Sequence, residues 1–268
     1  MTWWSRLVQF GSRKALRSRF ALPTYTALER VRLGKVRRDF SDLENSPEID
    51  RLRTEFESEL LSLPRRPAED EPLLTSLLVA PSGFFTVTLP DSKPCLLTFS
   101  TPLRACEYAR IHAGSLQFKY LGSSPREFVQ MLGDLTRHGN IQSFALDVCP
   151  HCLTFPVLNT SSMLSPTDVL KIWAIHKSGE LARESVYFSR AREAAKRGDL
   201  QEAKQTVLEA IQHVTMDSPR LHLLLGKIAL SLKEKETIRE AKAFLEFLNA
   251  KQPFRELLAS EETGEIQY

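Results

Sequence analysis

Apolar positions recur along this chain with two different periods, and the places where the period changes outline its organisation. In "SPEIDRLRTEFESELLSL" (46–63), Ile49, Leu52, Phe56, Leu60 and Leu63 fall on one stripe at helical spacing. Ser46 is placed to cap, Pro47 fits the first helical position, and Glu48 suits the positive end of the helix dipole. "PRRPAEDEP" (64–72), with three prolines, predicts a linker. Strand-length runs follow in "TSLLVA" (75–80), "FFTVTL" (84–89) and "CLLTFS" (95–100), separated by Pro- and Gly-containing turns. A helix is predicted over 101–114, with Thr101 as cap and Gly114 as stop. A strand over 117–122, a second Ser-Pro-initiated helix over 124–139 and a strand over 143–148 complete this stretch. "LTFPVLNTSS" (153–162) reads as strand or loop. Residues 165–255 then carry no strand signal. "SPTDVLKIWAIHKSG" (165–179) predicts a helix with Val169, Ile172, Trp173 and His176 on one face, the histidine at the edge of a core.

The fold class expected is therefore a mixed-sheet α+β or α/β domain with helices, followed by an all-α domain of helical hairpins. Its boundaries are set at 1–45 for a basic head and linker, 46–162 for the α/β domain, and 163–268 for the helical domain.

Two stretches carry a family resemblance. "CLLTFSTPLRACEYAR" places Phe99, Ser100, Thr101 and Ala105 at a strand-to-helix turn, and "SPREFVQMLGDLTRHGNIQSFALDVCP" supplies a helix, a glycine and a closing strand. Together they resemble the N-terminal domain of the SseB-like family, although Asp147-Val148-Cys149-Pro150 stands where that family's closing strand usually ends in Asn-Pro or nearby. The resemblance implies an α/β domain and brings no catalytic residues. "SVYFSRAREAAKRGDLQEAKQTVLEAIQHV" resembles a tetratricopeptide repeat, a helix–turn–helix unit of about 34 residues. Tyr187 takes the large aromatic position, Ala191 and Ala194 the small ones, Gly198-Asp199 the turn, and Ala203, Val207 and Ala210 the second helix's packing positions. A second copy begins at Pro219, with Leu225, Gly226 and Ala229 in its first helix and Ala241, Leu245 and Pro253 in its second. In this copy His222 replaces the first large aromatic. "PFRELLASEE" (253–262) is expected to supply a capping helix.

Charge changes the picture at the amino-terminal end. The net charge of +3 conceals residues 1–38, where ten Lys or Arg meet a single acid, and residues 39–72, where eleven acids meet four Arg. In "WWSRLVQFG" the residues Trp3, Trp4, Leu7, Val8 and Phe10 share one arc of a helical wheel, with Arg6 on the other side. Such a basic amphipathic head suits a membrane interface or a partner's apolar groove, and contact is assigned to Trp3, Trp4, Leu7 and Arg6. The same acid-poor composition is typical of a cleaved organellar presequence, the alternative to a cytoplasmic, membrane-peripheral protein. No run approaches the roughly 20 apolar residues needed to span a bilayer. The 42 % hydrophobic and 26 % charged residues are those of a globular protein. Four cysteines exclude a disulfide-dense scaffold.

The one short pattern with the look of chemistry is Cys149-Pro150-His151-Cys152. Thioredoxin-type enzymes place such a pair at a helix N-terminus, where the dipole lowers the first thiol's pKa. Here the motif closes the α/β unit instead of opening it, Pro156 follows, and no helix is signalled directly behind it. Zinc needs about four N or S ligands, and a second Cys-x-x-Cys is absent, so Cys149 and Cys152 offer half a site. No cofactor is expected, with zinc as the variant.

Function is expected to be non-enzymatic. The chain reads as an adaptor that binds a peptide or protein segment in a groove lined by Phe188, Arg192, Lys196, Arg220, Leu223 and Lys227. Four of those six are basic, which suits an acidic segment. The alternative is a thiol oxidoreductase or a redox or zinc sensor centred on Cys149 and Cys152. Nucleic-acid binding has only the basic head in its favour and ranks last.

Overall fold

A computed structural model of the chain describes residues 25–26, 46–62, 72–79, 83–84, 86–88, 94–101, 104–105, 108, 118–139, 141, 143–147, 158–159, 165–213 and 217–268. Two compact units emerge. One takes the described residues within 61–174, and the other those within 23–60 and 175–268. The fold is mixed α+β with a helical part.

The first unit is built on a seven-stranded sheet: β1 (Leu74–Val79), β2 (Gly83–Phe84), β3 (Thr86–Thr88), β4 (Pro94–Phe99), β5 (Phe118–Ser123), β6 (Ser143–Leu146) and β7 (Leu158–Asn159). β5 lies antiparallel to β1 along its whole length, from Leu74↔Ser123 to Val79↔Phe118. β1 pairs with β4 only at Thr75↔Phe99 and Ser76↔Thr98. Beyond that point β1 takes β2 as its neighbour while β4 takes β3, so the short β2 and β3 fill the gap where the two longer strands part. On its other side β4 pairs in parallel with β6, and β6 carries β7 antiparallel. β4 is thus a central strand, which is why "PCLLTF" reads as a continuous apolar run and is buried from Cys95 to Phe99.

The parallel step from β4 to β6 requires a crossover. It includes α2 (Pro125–Gly139), after α1 (Pro47–Ser62) earlier in the chain. α2 opens with a reciprocal cap: Glu127 N–H donates to Ser124 Oγ, and the Glu127 carboxylate accepts from Ser124 N–H at 2.9 Å. Its face of Phe128, Met131, Leu132 and Leu135 packs with Leu74, Leu96, Ile141, Phe144 and Leu146, and Phe128 meets Phe144 edge-on at 5.3 Å between centroids. Phe99 instead packs with Tyr108, at 5.6 Å between centroids. Thr101 caps the helical turn that follows β4, its Oγ1 accepting from Arg104 N–H.

Among the described residues the remaining helices are α3 (Pro166–Arg197), α4 (Leu200–His213), α5 (Pro219–Ser231), α6 (Lys235–Phe247) and α7 (Lys251–Thr263). α3 corrects one expectation. The helix opening at Pro166 does not stop at Gly179 but runs on for 32 residues into the segment that begins "SVYF". Ser178, Gly179 and Glu180 are all buried. Surrounding contacts therefore outweigh the roughly 1 kcal/mol that glycine costs inside a helix. The Ser165–Asp168 cap starts α3, with Asp168 N–H donating to Ser165 Oγ, and the hydrogen bonds that the Ser165 N–H and hydroxyl donate to the Asp168 carboxylate hold its pKa below the usual value.

α1 corrects a second expectation. The boundary drawn at residue 46 grouped this helix with the sheet, but Ile49 packs on Ala182 and Val186 of α3, flanked by Leu52 and Phe56. An amphipathic stripe announces that a face will be buried and is silent about the partner.

Gly198 ends α3 at φ +89°, a conformation that L side chains rarely adopt, and Asp199 N–H closes back on the Ala194 carbonyl at 2.9 Å. Ala191, Ala194, Ala203, Val207, Ala210, Leu225, Ala229, Ala241 and Leu245 are all buried. At Gly226 the reason for a missing side chain is explicit. A Cβ there would stand 2.7 Å from Leu257 Cδ2 and 2.8 Å from Cδ1, so α5 and α7 approach too closely for alanine to fit unchanged.

Candidate functional site

α5 begins at Pro219 behind Ser218, whose side chain accepts from Leu221 N–H. The Ser218 hydroxyl also donates to the Glu184 carboxylate on α3. Arg220 Nε donates to the same oxygen at 2.6 Å, a second guanidinium nitrogen reaches Ser185 Oγ at 3.0 Å, and the guanidinium lies 5.0 Å above the Phe188 ring. The first turn of α5 is thereby tied to α3 through a charge-assisted bond and a cation–π contact.

This arrangement sorts the residues expected to line a groove. Phe188 and Leu223 are half-buried, and Arg192 and Lys196 are exposed. Arg220 is engaged by Glu184. Lys227 is 7 % exposed, and its Nζ donates to Glu256 at 2.5 Å and to the Gln267 carbonyl at 2.8 Å. Two of the four expected basic residues therefore already have carboxylate partners inside the chain, leaving Arg192 and Lys196 presented to solvent.

The neighbouring residue on α5 is His222, fully buried. Its ring stacks on Phe244 of α6 at 4.4 Å between centroids and 9° between planes. Against this pair lies a third ring from far away in the sequence, that of Tyr25, 4.7 Å from Phe244 and 5.6 Å from His222. The Tyr25 hydroxyl lies 2.6 Å from His222 Nδ1 across a separation of 197 residues, and with Nδ1 unprotonated the phenol is the donor. Thr26 continues the contact. Its main-chain N–H donates to Glu240 Oε1 at 3.0 Å and its hydroxyl to the same oxygen at 2.6 Å, with Glu236 Oε1 at 3.5 Å.

Each polar group at this site thus meets a partner. Glu240, buried on α6, accepts two hydrogen bonds from one residue, which offsets the cost of taking a carboxylate out of water. Burial pushes the Tyr25 phenol pKa well up, and the negative charge of Glu240 adds to the shift. Sequence reasoning assigned residues 1–45 to a basic head and singled out neither Tyr25 nor Glu240. The available signal was His222 itself, an imidazole where the repeat expected from the sequence asks for a large aromatic. Its flat ring stacks as an aromatic would, and its nitrogen adds a polar handle.

The sheet unit holds one further polar cluster. Asp147, at φ +48° just beyond β6, accepts from Ser100 N–H at 2.7 Å and pairs with Arg104 at 3.2 Å, while its own N–H donates to the Thr98 carbonyl at 2.8 Å. The Asp147 side chain is 1 % exposed and that of Arg104 12 %. These bonds lock the carboxyl ends of the parallel strands β4 and β6 to the turn that follows β4.

Cys95 is a buried free thiol whose pKa burial pushes up, the behaviour of a core residue. Cys149 and Cys152, like Trp3, Trp4, Arg6 and Leu7, lie outside the described residues. Among the described residues no helix is long and apolar enough to cross a membrane. Comparison of the chain with protein-family models, curated proteins and solved structures found no match.

Proposed function

We propose that this chain is a non-enzymatic adaptor whose helical unit, a tetratricopeptide-like module, binds a segment of another protein. One observation carries the reading: α5 and α6 already hold a piece of polypeptide from far away in the sequence, with Tyr25 buried against the His222–Phe244 pair and Thr26 hydrogen-bonded to Glu240. Recognition of a segment by a groove between helices uses contacts of this same kind, apolar anchors with a few directed hydrogen bonds. Burial of the small positions Ala191, Ala194, Ala203, Ala229 and Ala241 supports the repeat assignment, because closely crossing helices leave no room for larger residues. The sheet unit, read as SseB-like, contributes a scaffold and no catalytic role.

In this reading apolar contacts supply affinity, while the exposed Arg192 and Lys196 steer an acidic partner segment. The double variant Arg192→Glu/Lys196→Glu tests this, since both side chains are exposed and the fold should tolerate the change. Affinity capture with the full chain should recover partners that the double variant loses at an unchanged melting temperature. An unchanged set of partners would remove the basic face from the proposal.

A further inference from the structure

We propose that His222, Phe244 and Glu240 form a recognition site for a tyrosine followed by an unmodified hydroxyl residue, and that Tyr25-Thr26 is its in-chain ligand, competing with partner segments of the same chemistry. The inference rests on the segment-binding reading above and names what that segment must contain.

The contacts divide as recognition contacts do. The Tyr25 ring lies flat against the stacked His222–Phe244 pair, at 14° to Phe244 and 16° to His222. Its hydroxyl reaches His222 Nδ1 at 2.6 Å. The next residue is read twice at Glu240, once through its main-chain N–H and once through its hydroxyl. A phenylalanine would lie against the same two rings but forfeit the hydroxyl's bond to His222 Nδ1. An alanine in the second place would forfeit one of the two bonds to Glu240.

Glu236 and Glu240 also set what is refused. A phosphate on Thr26, or an acidic residue in its place, would bring negative charge against two carboxylates. The site is therefore distinct in sign from the Arg192 and Lys196 face. Phosphorylation of the second residue would expel the in-chain ligand.

The test starts from the intact chain. A protease site is introduced within residues 41–45, the purified protein is cut, and the nicked complex is challenged with a labelled peptide of residues 20–31, FALPTYTALERV. The peptide should displace the head fragment reversibly and should not bind the uncut chain. Peptides carrying Tyr25→Phe or phosphothreonine at 26 should bind at least about tenfold more weakly, the loss expected when a buried polar group is left unpaired. The full-length variant Tyr25→Ala/Thr26→Ala should bind the native peptide in trans, and adding Glu240→Gln should weaken that binding.

Two results would overturn the inference. In one, the head fragment resists competitor and dilution, and the remaining chain loses its helical signal once the fragment is stripped; Tyr25 is then part of the fold and not a ligand. In the other, the phenylalanine and phosphothreonine peptides bind as tightly as the native one. Partner capture through Arg192 and Lys196 is read in a separate assay, so a failure here removes Tyr25 as support for the adaptor reading while that assay still decides the reading itself.

Discussion

Replacing Gly226 with alanine sets two opposed effects against each other at one atom. Alanine is better than glycine inside a helix by roughly 1 kcal/mol, because the unfolded chain has less freedom to lose. The added methyl, however, would meet both terminal methyls of Leu257 inside 3 Å. Leu257 is fully buried, so it cannot swing away without displacing its own neighbours. Overpacking of this kind costs about 1–3 kcal/mol. The net effect of Gly226→Ala should therefore be a loss of about 0–2 kcal/mol.

The sharper statement comes from a second background. Leu257→Ala alone should cost about 2–5 kcal/mol, but it also removes the obstacle. In that background Gly226→Ala should become stabilising by about 1 kcal/mol, since only the helix preference remains. Urea unfolding of the four proteins, followed by far-ultraviolet circular dichroism, gives the cycle directly. If Gly226→Ala stabilises both backgrounds equally, the close approach of α5 and α7 is not what keeps glycine there.

Two further outcomes follow from buried polar groups. Asp147→Ala removes the carboxylate that pairs with the nearly buried Arg104 cation and accepts from the Ser100 N–H, and should cost about 3–5 kcal/mol. Asp147→Asn keeps an acceptor and a residue tolerant of positive φ, and should cost about 1–3 kcal/mol. Urea midpoints for the two variants in the reverse order would refute the role given to the ion pair. Tyr25 predicts an alkaline effect. The folded state holds its phenol neutral while the unfolded chain ionises near pH 10, so stability is unaffected below that pH and falls as pH rises beyond it. Urea unfolding between pH 8 and 11 should show a steeper loss for the native chain than for Tyr25→Phe, and parallel curves would contradict it.

What the sequence disclosed depended on how local the cause was. The strands at 75–80, 95–100 and 143–148 were legible because their apolar runs and flanking turns are set by neighbours in the chain. So were the Ser-Pro helix starts at 124 and 165, where the cap and its partner lie three residues apart. Gly179 misled because a glycine reads as a stop until one knows that both sides of it are buried. The partner of α1 was invisible for a related reason: Ile49, Leu52 and Phe56 state a spacing, whereas Ala182 and Val186 lie more than a hundred residues away. The site showed the same limit. Arg220 and Lys227 looked like free charges, and only the folded chain reveals Glu184 and Glu256 beside them. Tyr25 gave no local sign at all, since its significance lies wholly in His222 and Phe244.

The separation of 197 positions from Tyr25 to His222 also sets an order of events during synthesis. At about 5–20 residues per second, some 10–40 s pass between the making of the tyrosine and the making of the histidine it will stack against. For that interval residues 25 and 26 have no site to occupy, and the apolar stripe of α1 waits similarly for α3. The sheet unit, whose described strands and crossover helix lie between 74 and 159, can be complete first. The helical unit takes in the earliest described residues of the chain and is nonetheless the last to close, so any factor that captures the newborn amino-terminal segment has those seconds in which to do it.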